Sequence, residues 1–261
     1  MTERQLRLED KVAIVTGAGS RGPGIGNGKA ASILFAREGA KVMLVDRQAE
    51  RMDETLEIIN SEGGEASVFT GDVTNIDDCQ AMVKATVERY GKLDILHNNV
   101  GIDSTGTVVD IDIEEWDRII EVNLKSVMLT SRFAIPEMIA GGGGAIINIS
   151  SVAALRPRNM VAYSTSKGGV LALTRAMASS HAADQIRVNC ILPGMVYTPM
   201  VAEILNEETR EQRRLSAPLQ TEGTAWDVGW AAVYLASDEA RWVTGITLPV
   251  DGGALLTRRS W

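Results

Sequence analysis

The chain has 261 residues, with 26 Lys and Arg against 34 Asp and Glu, for a formal charge of −8. An acidic balance with no basic stripe argues against a nucleic-acid partner. No apolar run reaches the roughly 18 residues that span a bilayer. The polar start, Met1-Thr2-Glu3-Arg4, lacks the apolar stretch of a signal peptide, so a cytoplasmic protein with no membrane partner is expected.

Short β-branched runs alternate with helical stretches along almost the whole chain. Strands are predicted at 11–15, 41–45, 66–69, 93–97, 145–149, 186–190 and 246–248. Several are apolar almost throughout, as strands buried on both faces of a parallel sheet must be. Ala30, Ile33 and Leu34 mark the first helix, with Gly39 suited to a left-handed C-terminal position; Met52, Leu56 and Ile59 mark the second, closed by Gly63-Gly64. The pattern predicts an α/β fold: a Rossmann-type, doubly wound, seven-stranded parallel sheet with helices on both faces, in a single domain over 1–261. Gly141 to Gly144 reads as a flexible turn between a helix and a strand.

Two features carry chemistry. The first is a glycine-rich turn between the first strand and helix, Gly17-Ala18-Gly19-Ser20-Arg21-Gly22-Pro23-Gly24-Ile25-Gly26. In that context glycines let the backbone approach a dinucleotide pyrophosphate at the positive end of the helix. Asp46 ends the second strand, where a carboxylate accepts hydrogen bonds from ribose hydroxyls and repels a 2′-phosphate, so NAD is expected over NADP. Arg47 and Arg21 complicate that preference, because either could pair with a phosphate. The second feature is Tyr163 and Lys167, four residues apart on a helix and therefore on one face. A phenol works as a general base near neutrality only with help, and a cation beside it is expected to supply it. Cys79 and Cys190 show no metal-ligand spacing and read as reduced packing residues, so no metal is expected.

Joined with Ser150, thirteen residues before Tyr163, these features resemble the short-chain dehydrogenase/reductase family over nearly the whole chain. Thr16-Gly17 through Gly24-Ile25-Gly26 is similar to the family's glycine motif, with a loop three residues longer than usual; phosphate contacts at Ser20 and Arg21 are placed accordingly. The resemblance implies that Asp72 and Val73 meet the adenine, that Asn99, Val100 and Gly101 follow the central strand, and that Val196 and Thr198 hold the nicotinamide carboxamide. It implies a catalytic set of Asn123, Ser150, Tyr163 and Lys167, with Asn123 holding a relay water. The implied reaction is NAD-dependent interconversion of a secondary alcohol and a ketone, with NADP-dependent ketone reduction as the alternative. The four-residue Tyr–Lys spacing weighs against an enoyl reductase. A non-catalytic dinucleotide-binding protein is the remaining alternative.

Ser151 competes with Ser150, and the thirteen-residue separation favours Ser150. His97 reads as a satisfied core histidine and His181 as a helix-end charge. Expected pocket walls are Val152, Arg156, Arg158, Met160, Met195 and the stretch 200–219, with a substrate loop or lid at about 195–220. The charges of 200–219 alternate as on a solvated helix. Apolar residues on more than one face (Val127, Met128, Leu129, Phe133 and Ile135; Val170, Leu171, Leu173 and Met177) point to a homotetramer. The tail 255–261, ending in Trp261, could dock on a neighbouring subunit.

Overall fold

The computed structural model describes residues 6–202 and 205–257. In chain order the elements are β1 (Val12–Thr16), α1 (Asn27–Arg37), β2 (Lys41–Asp46), α2 (Asp53–Ser61), β3 (Ala66–Thr70), α3 (Ile76–Tyr90), β4 (Ile95–Asn98), α4 (Ile113–Ile120), α5 (Ser126–Ala140), β5 (Gly144–Ile149), α6 (Val161–His181) and β6 (Ile186–Pro193). Then come β7 (Val196–Tyr197), α7 (Pro199–Ala202), α8 (Glu207–Ser216), β8 (Gly223–Thr224), α9 (Ala225–Ala236) and β9 (Thr247–Val250).

Seven strands form one parallel sheet in the order β3-β2-β1-β4-β5-β6-β9. The predicted architecture is therefore present, with boundaries shifted by a few residues. β6 runs on to Pro193 because Ile191, Leu192 and Pro193 are all buried. Successive side chains of β1 go to opposite faces. Ala13 and Val15 pack with Ile33, Leu34, Phe35, Val228 and Val233 beneath α1 and α9. Ile14 packs on the other side with Met82, Val83, Val127, Met138 and Val170, from α3, α5 and α6.

A buried polar chain crosses the second layer. Thr130 Oγ1 donates to Asn98 Oδ1 (2.7 Å), Asn98 Nδ2 to Asn148 Oδ1 (2.9 Å) and Asn148 Nδ2 to Thr174 Oγ1 (2.9 Å). It ties α5, β4, β5 and α6 together, and orphaning one buried partner costs about 1–3 kcal/mol.

Strand order reverses between β1 and β4, and ligands of open α/β sheets bind in the crevice at such a reversal, beyond the carboxyl ends of the strands. A two-stranded ribbon, β7 with β8, frames the segment that follows β6. Two-residue strands have no periodicity to read, so the sequence did not announce them. Of the apolar residues taken as surplus, Val127, Leu129, Ile135, Val170, Leu171 and Met177 are buried within the chain itself. Met128 is exposed. Most of that apolar content is thus accounted for by the core.

Candidate active site

The crevice is a cleft of about 550 Å³ at the carboxyl ends of the strands. It brings together Gly17, Ser20, Arg21, Asp46, Arg47, Asp72, Val73, Asn99, Val100, Gly101, Ser150, Tyr163, Lys167, Val196 and Thr198. Gly24, Ile25 and Asn123 do not line it. Gly24, at φ +111°, instead lies against the lid side: a Cβ there would sit 3.5 Å from Pro199 Cγ, at the start of α7. Val152, Arg156, Arg158, Met160 and Met195, expected as pocket walls, also lie off the cleft lining. Arg156 reaches back to the Ala254 carbonyl at 2.8 Å.

The cleft fits a dinucleotide on its own geometry. Helix α1 starts at Gly26 with no side-chain cap and no acidic residue in its first turn, and Gly26, Asn27 and Gly28 face the cleft. Its first amides and the positive end of its dipole are therefore available to an anion. Gly28 has to be glycine: a Cβ would come within 2.0 Å of the Gly17 carbonyl oxygen. Asn99 holds the same turn, with its amide nitrogen donating to Gly17 O at 3.2 Å and its backbone N–H to Thr16 Oγ1 at 3.1 Å. In the extended loop, Ser20 Oγ donates to Gly22 O (2.7 Å). Arg21 crosses to the Gly101 carbonyl at 3.3 Å, beside Lys167, so it is directed to the catalytic end. Arg51, which sequence reasoning missed, lines the cleft with Asp46 and Arg47. Its backbone lies against Gly19, where a Cβ would be 2.5 Å from Arg51 Cβ. Asp72 Oδ1 accepts from the Thr74 backbone N–H (2.9 Å) and hydroxyl (2.8 Å), which fixes the turn after β3.

The two serines divide differently from the expectation. Ser150 Oγ is buried and donates to the Lys167 carbonyl at 2.7 Å, so its hydroxyl is engaged by backbone. Ser151, one residue further out, lines the cleft with Tyr163 and acts on its phenol. It also accepts from the Ala153 N–H at 3.2 Å, which anchors its turn. Lys167 is buried along α6, and its Nζ donates to the Ile149 carbonyl at 3.0 Å, 5.9 Å from the centre of the Tyr163 ring. Burial pulls the Lys167 ammonium down to about 8. Burial likewise pushes the Tyr163 phenol above its ordinary value of 10; the Ser151 hydrogen bond opposes this, and the Asp103 carboxylate adds to it.

Asn123 is fully buried in one widened turn, 121–125, between α4 and α5. Such turns insert a residue into a helix and recur at functional sites. Its Oδ1 accepts from Ile102 N (2.8 Å), and its Nδ2 donates to Ile102 O (2.8 Å) and Ser166 Oγ (3.0 Å). His97 is buried and its pKa is pulled down to about 4, but neither ring nitrogen has a hydrogen-bond partner, so it is not the satisfied histidine expected. It packs edge-on against Phe35. His181 ends α6 and pairs with Asp184 at 3.0 Å. Residues 258–261 of the tail lie outside the described residues. Among the described residues there is no metal-ligating cluster, and no helix is long and apolar enough to cross a membrane.

The family model described as enoyl-(acyl carrier protein) reductase matches residues 21–254. The 3-oxoacyl-(acyl-carrier-protein) reductase FabG of Thermotoga maritima is 37% identical over 252 residues, covering 96% of this chain and 100% of that protein. A structure from Burkholderia xenovorans, assigned to the short-chain dehydrogenases/reductases, is 41% identical with a TM-score of 0.92, over 97% of this chain and 99% of that one. Carveol dehydrogenase from Mycobacterium avium, in complex with NAD, is 30% identical with a TM-score of 0.89, over 96% and 99% of the two chains. With its doubly wound sheet and its cleft at the strand-order reversal, the chain belongs to the short-chain dehydrogenase/reductase family of oxidoreductases.

Proposed function

We propose that this protein is an NAD-dependent oxidoreductase that interconverts a secondary alcohol and a ketone, with Tyr163 as general acid/base. The observation that carries the reading is the Tyr163 phenol in the cleft, lined there with Ser151 and one helical turn from buried Lys167. A bound nicotinamide dinucleotide supplies the hydride exchange with the substrate carbon. Tyr163 exchanges the proton with the substrate oxygen. Ser151, rather than Ser150, donates a hydrogen bond to that oxygen as charge develops on it. Ser150 holds the α6 backbone at Lys167 in register with the end of β5. Lys167 holds the nicotinamide ribose. Asn123 acts as a positioning residue, clamping Ile102 and Ser166 beneath the site. The four-residue spacing from Tyr163 to Lys167 favours this reading over reduction of an enoyl double bond.

Asp46 supports NAD, since a carboxylate at the end of β2 repels a 2′-phosphate. A second reading, NADP-dependent ketone reduction, is favoured by Arg47 and Arg51 beside Asp46 in the cleft. A screen of secondary alcohols against both cofactors, following absorbance of the reduced nicotinamide, tests both. Turnover with NAD is the expected result, and a preference for NADP would transfer the assignment to the second reading.

The segment 195–220 acts as a lid over the substrate end, carried on the β7–β8 ribbon. The protein works as a homotetramer in the cytoplasm. Exposed Trp230, Trp242 and Leu256 support assembly, as apolar surface left for a neighbouring subunit. Light scattering at micromolar concentration should give about four times the 28.1 kDa of one chain, and a monomer mass would refute the assembly.

A further inference from the structure

Helix α8 carries three arginines, and two of them are fully occupied. Arg210 meets the Glu222 carboxylate with two hydrogen bonds, at 2.6 and 2.5 Å, and lies 3.9 Å over the Tyr197 ring. Arg214 meets Glu211 in the same two-pronged way, at 2.7 and 2.6 Å, and donates to the Gln220 carbonyl. These contacts fasten α8 to the β7–β8 ribbon on one side and to the return segment on the other. Arg213, between them, is different. It is half-buried, lines the cleft with Thr198, Pro199, Met200 and Val201, and has no hydrogen-bond or ion-pair partner among the described residues. Glu222, the carboxylate that acts on it, is already held by Arg210. Burial lowers its pKa, and the Glu222 carboxylate offsets this only in part.

A guanidinium left unpaired in a partly dry wall is costly unless something negative meets it. Its planar fork is the geometry that takes a carboxylate or phosphate in two parallel hydrogen bonds. We infer that Arg213 is a specificity-determining residue that receives a carboxylate at the lid end of the cleft, and that the substrate is a secondary alcohol or ketone bearing that group. This rests on the alcohol–ketone reading for the reacting end of the substrate. The Asp103 carboxylate, which bears on Tyr163, disfavours an anion close to the reacting carbon, so the charge belongs at the far end of the molecule.

The test uses full-length enzyme saturated with NAD, which cannot reduce a ketone, so binding is read without turnover. Calorimetric titration compares acetoacetate, 4-oxopentanoate and 5-oxohexanoate with their neutral methyl esters, in the wild type and in Arg213→Met and Arg213→Lys. At least one acid should bind the wild type more tightly than its ester. Arg213→Met should weaken that acid by about 10- to 100-fold while leaving the ester within about twofold, as for loss of a hydrogen-bonded charge. Arg213→Lys should recover part of the loss. NAD affinity, measured separately by fluorescence quenching, should be unchanged. A matching loss of NAD affinity would assign Arg213 to the cofactor's own phosphates and overturn the inference. So would acids that bind no better than their esters, or an Arg213→Met variant that binds them as well as the wild type. Failure of the alcohol–ketone reading looks different: acids bind through Arg213, yet no secondary alcohol is turned over.

Discussion

Replacing Lys167 with methionine separates the catalytic use of a buried cation from its effect on stability. Burial lowers the ammonium from 10.5 to about 8. At about 1.4 kcal/mol per unit, keeping the charge in the folded state costs about 3 kcal/mol near neutrality. The sign follows from proton binding: the folded lysine holds its proton more weakly than the unfolded one, so protonation favours unfolding. The cost is complete below about pH 8, declines between about 8 and 10.5, and vanishes above that range. Methionine keeps most of the packing volume but leaves the Ile149 carbonyl, now 3.0 Å from Nζ, without its donor. That offsets about 1–3 kcal/mol of the gain, at every pH. The variant is therefore expected to equal or exceed the wild type in stability near pH 7 while losing its activity. Its margin over the wild type should shrink by about 1 kcal/mol between roughly pH 7 and pH 9. Urea unfolding followed by tryptophan fluorescence, at fixed protein concentration, measures that margin. A margin independent of pH would refute the claim that Lys167 is a desolvated cation.

Three further outcomes are expected. Tyr163→Phe should lower kcat by roughly 10²–10⁴-fold while NAD binding persists, since only the hydroxyl is removed; near-normal kcat under chemistry-limited conditions would exclude the acid/base role. Ser151→Ala should lower kcat by roughly 10²-fold, whereas Ser150→Ala should act mainly on stability, by about 1 kcal/mol, through its bond to the Lys167 carbonyl; the reverse ranking in steady-state kinetics and melting would restore Ser150 to the catalytic position. Asp46→Ala should shift the kcat/KM ratio toward NADP by roughly tenfold or more, and an unchanged ratio would mean that Asp46 does not face the adenosine ribose.

The sheet was legible because central strands buried on both faces must be apolar almost throughout, and 11–15, 41–45, 145–149 and 186–190 carry only one or two polar residues each. The cleft was legible because the glycine turn, Asp46, Tyr163 and Lys167 are local patterns in fixed structural settings. What escaped depends on distant contacts or on a single dihedral. Counting residues back from Tyr163 picks out Ser150, but side chains alternate at the end of β5, so one residue decides whether a hydroxyl meets backbone or cleft. Arg51 reaches the cleft only because the turn before α2 folds back against Gly19. That Arg213 has no partner among the described residues could not be read from a run of alternating charge, because it depends on Arg210 having already engaged Glu222, twelve residues away. Of the buried amides inside these strands, Asn98 and Asn148 were half visible: Asn98 directly precedes the Asn99-Val100-Gly101 stretch, and Asn148 has no such neighbour.

That asparagine pair bears on how the sheet finds its alignment during folding. Neighbouring parallel strands that are hydrophobic on both faces gain little from alternation, and a slide of one strand past the next would still bury oil against oil. Asn98 and Asn148 are direct register partners, and each is flanked by a helix hydroxyl that completes its amide. A one-residue slip would turn one amide to the other side of the sheet and strand both, at about 1–3 kcal/mol for each group left unmet. The pair works as a detent. It contributes little net attraction, yet it makes one alignment of β4 on β5 acceptable and the neighbouring ones expensive. Because Gly101 follows β4 and Ser151 follows β5, the notch that aligns the two strands also sets the spacing of residues that line the cleft.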